Sequence, residues 1–391
     1  FWNKTTRSGQ PVTKEYYVKP IAVTTSGQHT FADGVKMEDF SALYETNFVP
    51  EKSCKAVIRM QYTGAFSLSV NGKTLAADST WRDQPMRFEL DVEKGKKYEV
   101  RLAYHTVKTW GANMKLNIGE ELPIDYSATI NKLKGIETVV FVGGISSQLE
   151  GEEMPVKIDG FKGGDRTHIE LPKVQREFIR HLAEAGKKIV YVNCSGSAIA
   201  LAPEAERCGA IVQVWYPGME GGKAVADVLF GDYNPQGKLP VTFYKNSSQL
   251  PDFEDYSMKG RTYRYFSDPL FAFGYGLSYT SFKYGKMNIE KGTYKVQVPV
   301  SNIGKREGTE VVQVYVRRCD DTDGPLKSLT AFERITLKPG ESKNVVFTLD
   351  NEAFKLFDPT TNTMRAVPGK YEIYVGSSSR PEDLQMMNIE I

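Results

Sequence analysis

From Val23 to Ile118 apolar and polar residues alternate with a period of two, as in KAVIRMQY, AFSLSV, KYEVRLAY and MKLNI. Such alternation predicts strands with one buried face. The Asn71-Gly72 pair predicts a two-residue hairpin turn, because both positions of that turn need positive φ. From Ile124 to Tyr244 the pattern changes. TVVFVG at 138–143 reads as a buried strand, and a helix follows from Pro172 to Ala185, with Val174, Phe178, Leu182 and Ala185 on one face and Pro172 suited to the first turn. KIVYVN at 188–193 is the next strand. An Ala-rich helix then ends near Gly209, IVQVWY at 211–216 forms a third strand, and a helix from Glu220 to Phe230 stops at Gly231. Strand-helix units in succession predict a mainly parallel sheet with helices on both faces. From Phe282 onward TYKVQVPV, TEVVQVYV, KNVVFTL and KYEIYVG, with turns at Lys338-Pro339-Gly340 and Pro368-Gly369, have the spacing of an immunoglobulin-like sandwich. The expected fold is multidomain, α/β plus all-β. It comprises a β-sandwich over 1–122, an α/β/α sandwich with a mainly parallel sheet over 123–281, and a C-terminal β-sandwich over 282–391.

Composition narrows the partners more than the fold. The 391 residues are 40% hydrophobic and 25% charged, which suits two or three packed domains. Fifty basic against 48 acidic residues leave a net charge of +2, with no electrostatic case for nucleic acid or an anionic membrane, so a neutral partner is expected. No run approaches the roughly 20 apolar residues of a spanning helix, and the opening FWNKTTRSGQ lacks the pattern of a signal peptide. A first residue of Phe suggests a chain cut from something longer. Cys54, Cys194, Cys208 and Cys319 form no CxxC pair and cluster with no histidine; they are expected to be buried apolar groups, and no metal or organic cofactor is implied.

Ligands of an open parallel sheet bind at the carboxyl ends of its strands, so the loops after 143, 193 and 216 are where chemistry is expected. The first runs from Gly144 to Leu171, far beyond the roughly two to six residues usual for a strand-to-helix connection. It carries Glu150, Glu152, Glu153, Asp159, Asp165 and Arg166 among glycines. A carboxylic acid that protonates a glycosidic oxygen needs a pKa raised by desolvation or by neighbouring negative charge, which three close glutamates can provide. Asp165-Arg166 can anchor the far end of the loop. The alternative is a solvated acidic surface loop.

The stretch WYPGMEGGKAVADVLFGDYNPQGKLPVTFY, then GRTYRYF, then PLFAFGYGLSYTSFKY, closely resembles the signature text of glycoside hydrolase family 3. The family's usual Asn-Pro-Ser-Gly stands here as Asn234-Pro235-Gln236-Gly237. The resemblance runs from Thr138 through a terminal fibronectin type III-like domain. It implies a retaining, exo-acting β-glucosidase or β-xylosidase acting on an oligosaccharide or aryl glycoside, with its acid/base at Glu152, Glu150 as the rival, and Asp165-Arg166 as the supporting pair. The family's nucleophilic Asp belongs to an N-terminal β/α barrel, in a Ser-Asp-Trp-like segment that this chain lacks; the chain is expected to be inactive alone. Relatives that degrade polysaccharides are commonly exported, which implies a periplasmic or extracellular setting, and a homo-oligomer stays open. The first module resembles the protective-antigen-type β-sandwich that some members insert, through Gly64, Phe66, Asn71-Gly72, Gly95, Tyr98 and Tyr104. Trp81 and Trp110 can stack on sugars but are expected in the core, as aromatics on a sandwich usually are. The competing function is a non-catalytic carbohydrate-binding or scaffolding protein.

Other motifs carry less. PGMEGGKAVAD is no phosphate loop, because Pro217 takes the first Gly position and Ala224 replaces the Ser/Thr. Ser195 in NCSGSA lacks a nucleophile elbow. His168 is expected to be satisfied locally.

Overall fold

The computed structural model describes residues 1–151, 156–163, 165–290, 292–358 and 360–391, with Gln148 and Lys157 described by their backbone alone. The chain divides into two compact units, Phe1–Thr129 with Gln148–Thr167, and Ile130–Ser147 with His168–Ile391.

The first unit opens with β1 (Ile21–Thr24), β2 (Ser41–Phe48), β3 (Cys54–Val70), β4 (Lys73–Val92), β5 (Tyr98–His105) and β6 (Asn113–Glu120). They form one antiparallel sheet in the order β1-β6-β3-β5-β2, with β4 also on β3. The long β3 pairs with β6 along 56–63 and with β5 along 65–70, so the sheet folds over at Gly64. Gly64 has φ 136°, and a β-carbon there would lie 2.5 Å from the Tyr104 ring, whose hydroxyl donates to Thr63 O at 2.6 Å. Glycine is what lets the two half-sheets close on a core of Ile58, Tyr62, Phe66, Leu68, Leu102, Tyr104 and Met114. The Asn71-Gly72 turn forms as expected, with φ 49° and 77°.

Next come α1 (Tyr126–Lys132), β7 (Thr138–Gly144) and the acidic connection. The described part of that connection is built, not irregular. It contains the short α2 (Ser147–Glu150) and an antiparallel ribbon of β8 (Lys157–Ile158), β9 (Phe161–Lys162) and β10 (Asp165–Arg166). Gly160, at φ 88°, makes the first turn of the ribbon, and Phe161 is buried. Gln148–Thr167 belongs to the compact unit of the N-terminal strands.

In the second unit α3 (Lys173–Glu184), β11 (Lys188–Cys194), α4 (Ala202–Arg207), β12 (Ala210–Gln213) and α5 (Gly221–Phe230) follow the expected alternation, and β7, β11 and β12 pair in parallel. The buried face of α3 is Ile179 and Leu182, while Val174 is exposed. Strand β12 stops short of the expected Tyr216, because Trp215 turns to φ 56°, a conformation closed to a continuing strand and costly for a bulky residue. Gly231 ends α5 at φ 83°.

After α6 (Thr262–Tyr265), the described residues form ten strands: β13 (Phe282–Tyr284), β14 (Asn288–Glu290), β15 (Lys295–Asn302), β16 (Gly308–Arg318), β17 (Ser328–Leu337), β18 (Ser342–Thr348), β19 (Lys355–Asp358), β20 (Thr363–Ala366), β21 (Lys370–Gly376) and β22 (Leu384–Glu390). One sheet joins β13, β14 and β18 to β15, a second runs β17-β16-β21-β22, and β19 and β20 pair only with each other; the inward residues of the two larger sheets share one core that includes Val298, Val314, Val345 and Ile373. The segments that carried the family resemblance join this sandwich to the α/β layer. Lys238 Nζ lies 2.9 Å from Glu310 Oε1, both nearly buried, Asn234 Nδ2 donates to Glu307 O at 2.9 Å, and Gln313 Nε2 donates to Gly274 O at 3.1 Å.

Two further expectations fail. Trp81 and Trp110 are not core but 54% and 97% exposed, since neither stands on an inward strand position. The cysteines are unpaired and only partly buried, because they sit at or just beyond element ends, where packing is thinner: Cys54 begins β3, Cys194 ends β11, Cys208 follows α4 and Cys319 follows β16.

Candidate active site

Strands β7 and β11 end side by side, and glycine makes that possible. Gly144 has φ 124°, and a β-carbon on it would stand 1.8 Å from Cys194 O. Gln175, from the first turn of α3, clamps the same residue, accepting from Gly144 N and donating to Gly144 O at 2.7 Å each. Ile145 N then donates to Cys194 O at 2.8 Å before the chain enters the acidic connection.

At the ends of β11 and β12 lies a closed polar network. Tyr191 hydroxyl donates to Asn193 Oδ1 at 2.9 Å, Asn193 Nδ2 to Gln213 Oε1 at 2.5 Å and to Ser195 Oγ at 3.3 Å, and Gln213 Nε2 to Ser195 Oγ at 3.2 Å. Ser195 Oγ in turn donates to Ser197 O at 2.8 Å. Burial first, and then the charge of Glu204, hold the Tyr191 phenol above its ordinary range, so it stays a donor. Tyr191, Asn193 and Ser195 are fully buried, and the Ser195 hydroxyl is committed to three partners, which removes it as a nucleophile.

Two carboxylates brace the return of the chain. Glu204, 1% exposed, receives Arg176 Nε at 2.9 Å and Nη2 at 3.2 Å, while Nη2 also reaches Ala200 O at 3.0 Å. Glu170 accepts from Ser247 Oγ at 2.5 Å and Ser247 N at 2.8 Å; His168 Nδ1 lies 3.2 Å from Glu170 Oε2, within ion-pair distance, but it is buried with no hydrogen-bond partner among the described residues, so the local satisfaction expected of that histidine is not met at Nδ1. Burial by itself would raise the Glu170 carboxyl. The hydrogen bonds of Ser247 and of its own backbone, with the charge of His168, outweigh this and hold it below the usual carboxylate range.

Of the predicted site residues, Glu150 is half-buried at the end of α2 and is followed by the buried Gly151 at φ 52°. Glu152, like Glu153, lies outside the described residues. Asp165 is exposed opposite Lys162 in the ribbon, and Arg166 is half-buried opposite Phe161. The glycine cluster after β12 splits by role. A β-carbon on Gly221 would lie 2.3 Å from Pro217 Cβ, whereas Gly218 and Gly222 face open space. Sequence reasoning missed the Gln175 clamp, the Arg176–Glu204 pair and the Asn193–Gln213 network. The available signal was amide side chains, Asn193 and Gln213, at the ends of apolar strands. Among the described residues no group of three or more His, Cys, Asp or Glu could hold a metal ion, and no helix is long and apolar enough to cross a membrane.

Residues 15–279 match the glycosyl hydrolase family 3 C-terminal domain, and residues 310–379 match a fibronectin type III-like domain. The chain is 57% identical over 395 residues to a xylan 1,4-β-xylosidase of Xylanibacter ruminicola, covering 100% of this chain and 46% of that protein. It is 40% identical over 238 residues to a periplasmic β-glucosidase of Salmonella typhimurium, covering 56% of this chain and 31% of the relative. Among solved structures, the β-glucosidase of Kluyveromyces marxianus in complex with glucose matches with a TM-score of 0.66 at 26% identity, over 90% of this chain and 44% of that one. A share of that size must include most of the N-terminal strands. The chain thus spans less than half the length of these relatives. With the family's domain matched from the N-terminal strands through the parallel sheet, and the same fold in a solved β-glucosidase, the chain belongs to glycoside hydrolase family 3.

Proposed function

We propose that this chain is the C-terminal part of a retaining, exo-acting β-glycosidase, a β-xylosidase or β-glucosidase that removes terminal β-D-sugars from the non-reducing end of a glycan. The observation that carries this reading is the 57% identity, along the whole chain, to a xylan 1,4-β-xylosidase. Three parts, 1–122, 123–281 and 282–391, divide the work: an N-terminal sandwich, an α/β layer from which the acidic loop springs, and a supporting fibronectin type III-like sandwich. Glu152 is the acid/base, and Glu150 its alternative. As an acid it protonates the leaving oxygen; as a base it then takes a proton from the water that attacks the glycosyl-enzyme. Asp165 and Arg166 hold the returning limb of the loop through the ribbon. The nucleophilic carboxylate, about 5 Å from the acid/base in a retaining enzyme, comes from a β/α barrel outside this chain. The periplasmic relative supports a periplasmic or extracellular setting.

The test joins this chain to such a barrel and compares Glu152→Ala with Glu150→Ala. Glu152→Ala is expected to lose hydrolysis of alkyl xylosides and glucosides, to keep forming the intermediate from dinitrophenyl glycosides, and to regain turnover with azide. The same behaviour in Glu150→Ala instead overturns the assignment. The 391-residue chain alone is expected to release no nitrophenol from aryl β-xyloside or β-glucoside; steady release refutes its dependence on the barrel.

A further inference from the structure

At the fold of the first sheet, β4 bulges. The ladder pairs Thr80 with Gly64 and Gln84 with Tyr62, so Trp81, Arg82 and Asp83 stand opposite the single residue Thr63. Extra residues of this kind re-aim side chains out of the sheet, and here they turn Trp81 to solvent. Asp83 pins the bulge, accepting from Asn113 Nδ2 at 2.8 Å and from Gln61 Nε2.

Trp110 lies in the connection between β5 and β6, and that connection is tied to the bulge: Thr109 Oγ1 donates to Trp81 O at 2.8 Å. On its other side Ala112 N donates to Thr25 Oγ1 at 2.7 Å, and Ala112 O accepts from Thr25 N at 2.9 Å and Thr24 Oγ1 at 3.1 Å. The Arg82 guanidinium covers one face of the Trp81 ring, 4.4 Å from its centroid. Two indoles thereby stand in water on adjacent segments whose backbones are fastened, so the backbone share of the ordering entropy of a binding surface is already lost before any ligand arrives.

We propose that Trp81 and Trp110 form a stacking platform for pyranose rings of a β-1,4-linked xylo-oligosaccharide, a proposal that rests on the glycosidase reading above. The chemistry fits a sugar better than a protein. A pyranose offers an apolar C–H face and a rim of hydroxyls, and these indoles are flanked in sequence by the polar Thr80, Arg82, Asp83 and Thr109, with the Arg82 guanidinium against the Trp81 ring. Between residues 50 and 121 they are the only large hydrophobic side chains exposed among the described residues, whereas a protein interface wants a contiguous apolar centre.

The test is calorimetric titration of the 391-residue chain with xylohexaose, with cellohexaose in parallel, followed also by tryptophan fluorescence. Circular dichroism checks that the variants keep their strands. Xylohexaose is expected to bind with a shift of indole emission. Trp110→Ala and Trp81→Ala should each weaken binding by roughly tenfold, the scale of truncating a central aromatic, and Trp110→Phe should restore most of it. Unchanged affinity in both alanine variants overturns the platform, as does a wild-type chain that binds neither hexasaccharide, which would point these indoles to a protein surface. Preference for cellohexaose overturns the assignment to xylan. Hydrolysis of nitrophenyl β-xyloside by the wild-type chain joined to a barrel reports separately on the glycosidase reading, so either idea can fail without the other.

Discussion

Gly144→Ala should be among the most damaging single-methyl additions in the second unit. The added carbon would stand 1.8 Å from Cys194 O, 2.7 Å from Cys194 C and 2.8 Å from Cys194 N, all backbone atoms that no rotamer change can move. Reaching an ordinary carbon–oxygen separation near 3.3 Å requires the strand ends to part by about 1.5 Å. That movement breaks the 2.8 Å bond from Ile145 N to Cys194 O and the two 2.7 Å bonds of the Gln175 clamp. Three such bonds contribute about 1 kcal/mol each. Forcing a β-carbon-bearing residue to hold φ 124° costs roughly a further 1–3 kcal/mol. Partial relaxation trims the sum, leaving an expected loss of about 3–5 kcal/mol against a typical stability of about 5–15 kcal/mol. Urea unfolding followed by circular dichroism measures this, with Gly218→Ala as control because its β-carbon meets nothing within 4 Å. On the thermal scale the loss is about 6–20 °C. A Gly144→Ala protein within about 1 kcal/mol of the parent would refute the argument that this close approach requires glycine.

Arg176→Ala strands the Glu204 carboxylate in the interior and should cost about 3–5 kcal/mol in the same titration, while replacing both partners with apolar residues should cost much less. Because the Glu170 carboxyl is held below its ordinary value, its contribution to stability is present above about pH 4.3 and is lost as pH falls further through the folded-state value. Ser247→Ala should bring that value up and flatten the acid limb of stability against pH; an unaltered limb would show that Ser247 does not stabilise the charge. Burial first, then the charge of Glu204, pushes the Cys208 thiol up to about 11. At pH 8 roughly one thiol in a thousand is then ionised, so iodoacetamide should label Cys208 far more slowly than a free cysteine, as peptide mapping would read.

Period-two alternation, the Asn71-Gly72 turn, and the strand-helix succession from Thr138 to Gly231 were legible from residue order, because each reports a local preference that packing then obeys. Trp215 shows the limit. IVQVWY has the composition of a six-residue strand, yet the backbone turns at Trp215, where neighbours rather than propensity decide. The two exposed tryptophans mark a second limit, since a bulge that turns Trp81 outward is a register relation between β3 and β4 that neither strand contains alone.

The acidic loop itself was conspicuous by its length and charge, and the glycines around it by their number. What the tertiary structure decided is which glycines are required and why. Gly144 meets a neighbouring strand's carbonyl and Gly221 meets Pro217, while Gly218 and Gly222 meet nothing. It also decided that Gln175, 31 positions beyond Gly144 in the sequence, holds the strand end from which that loop departs, and that Arg176 on the same helix meets Glu204, 28 positions further on. Local order along a chain is set by steric and apolar periodicity. Which distant polar groups meet is set by the folded path, where a buried amide or carboxylate persists only if its partner arrives with it.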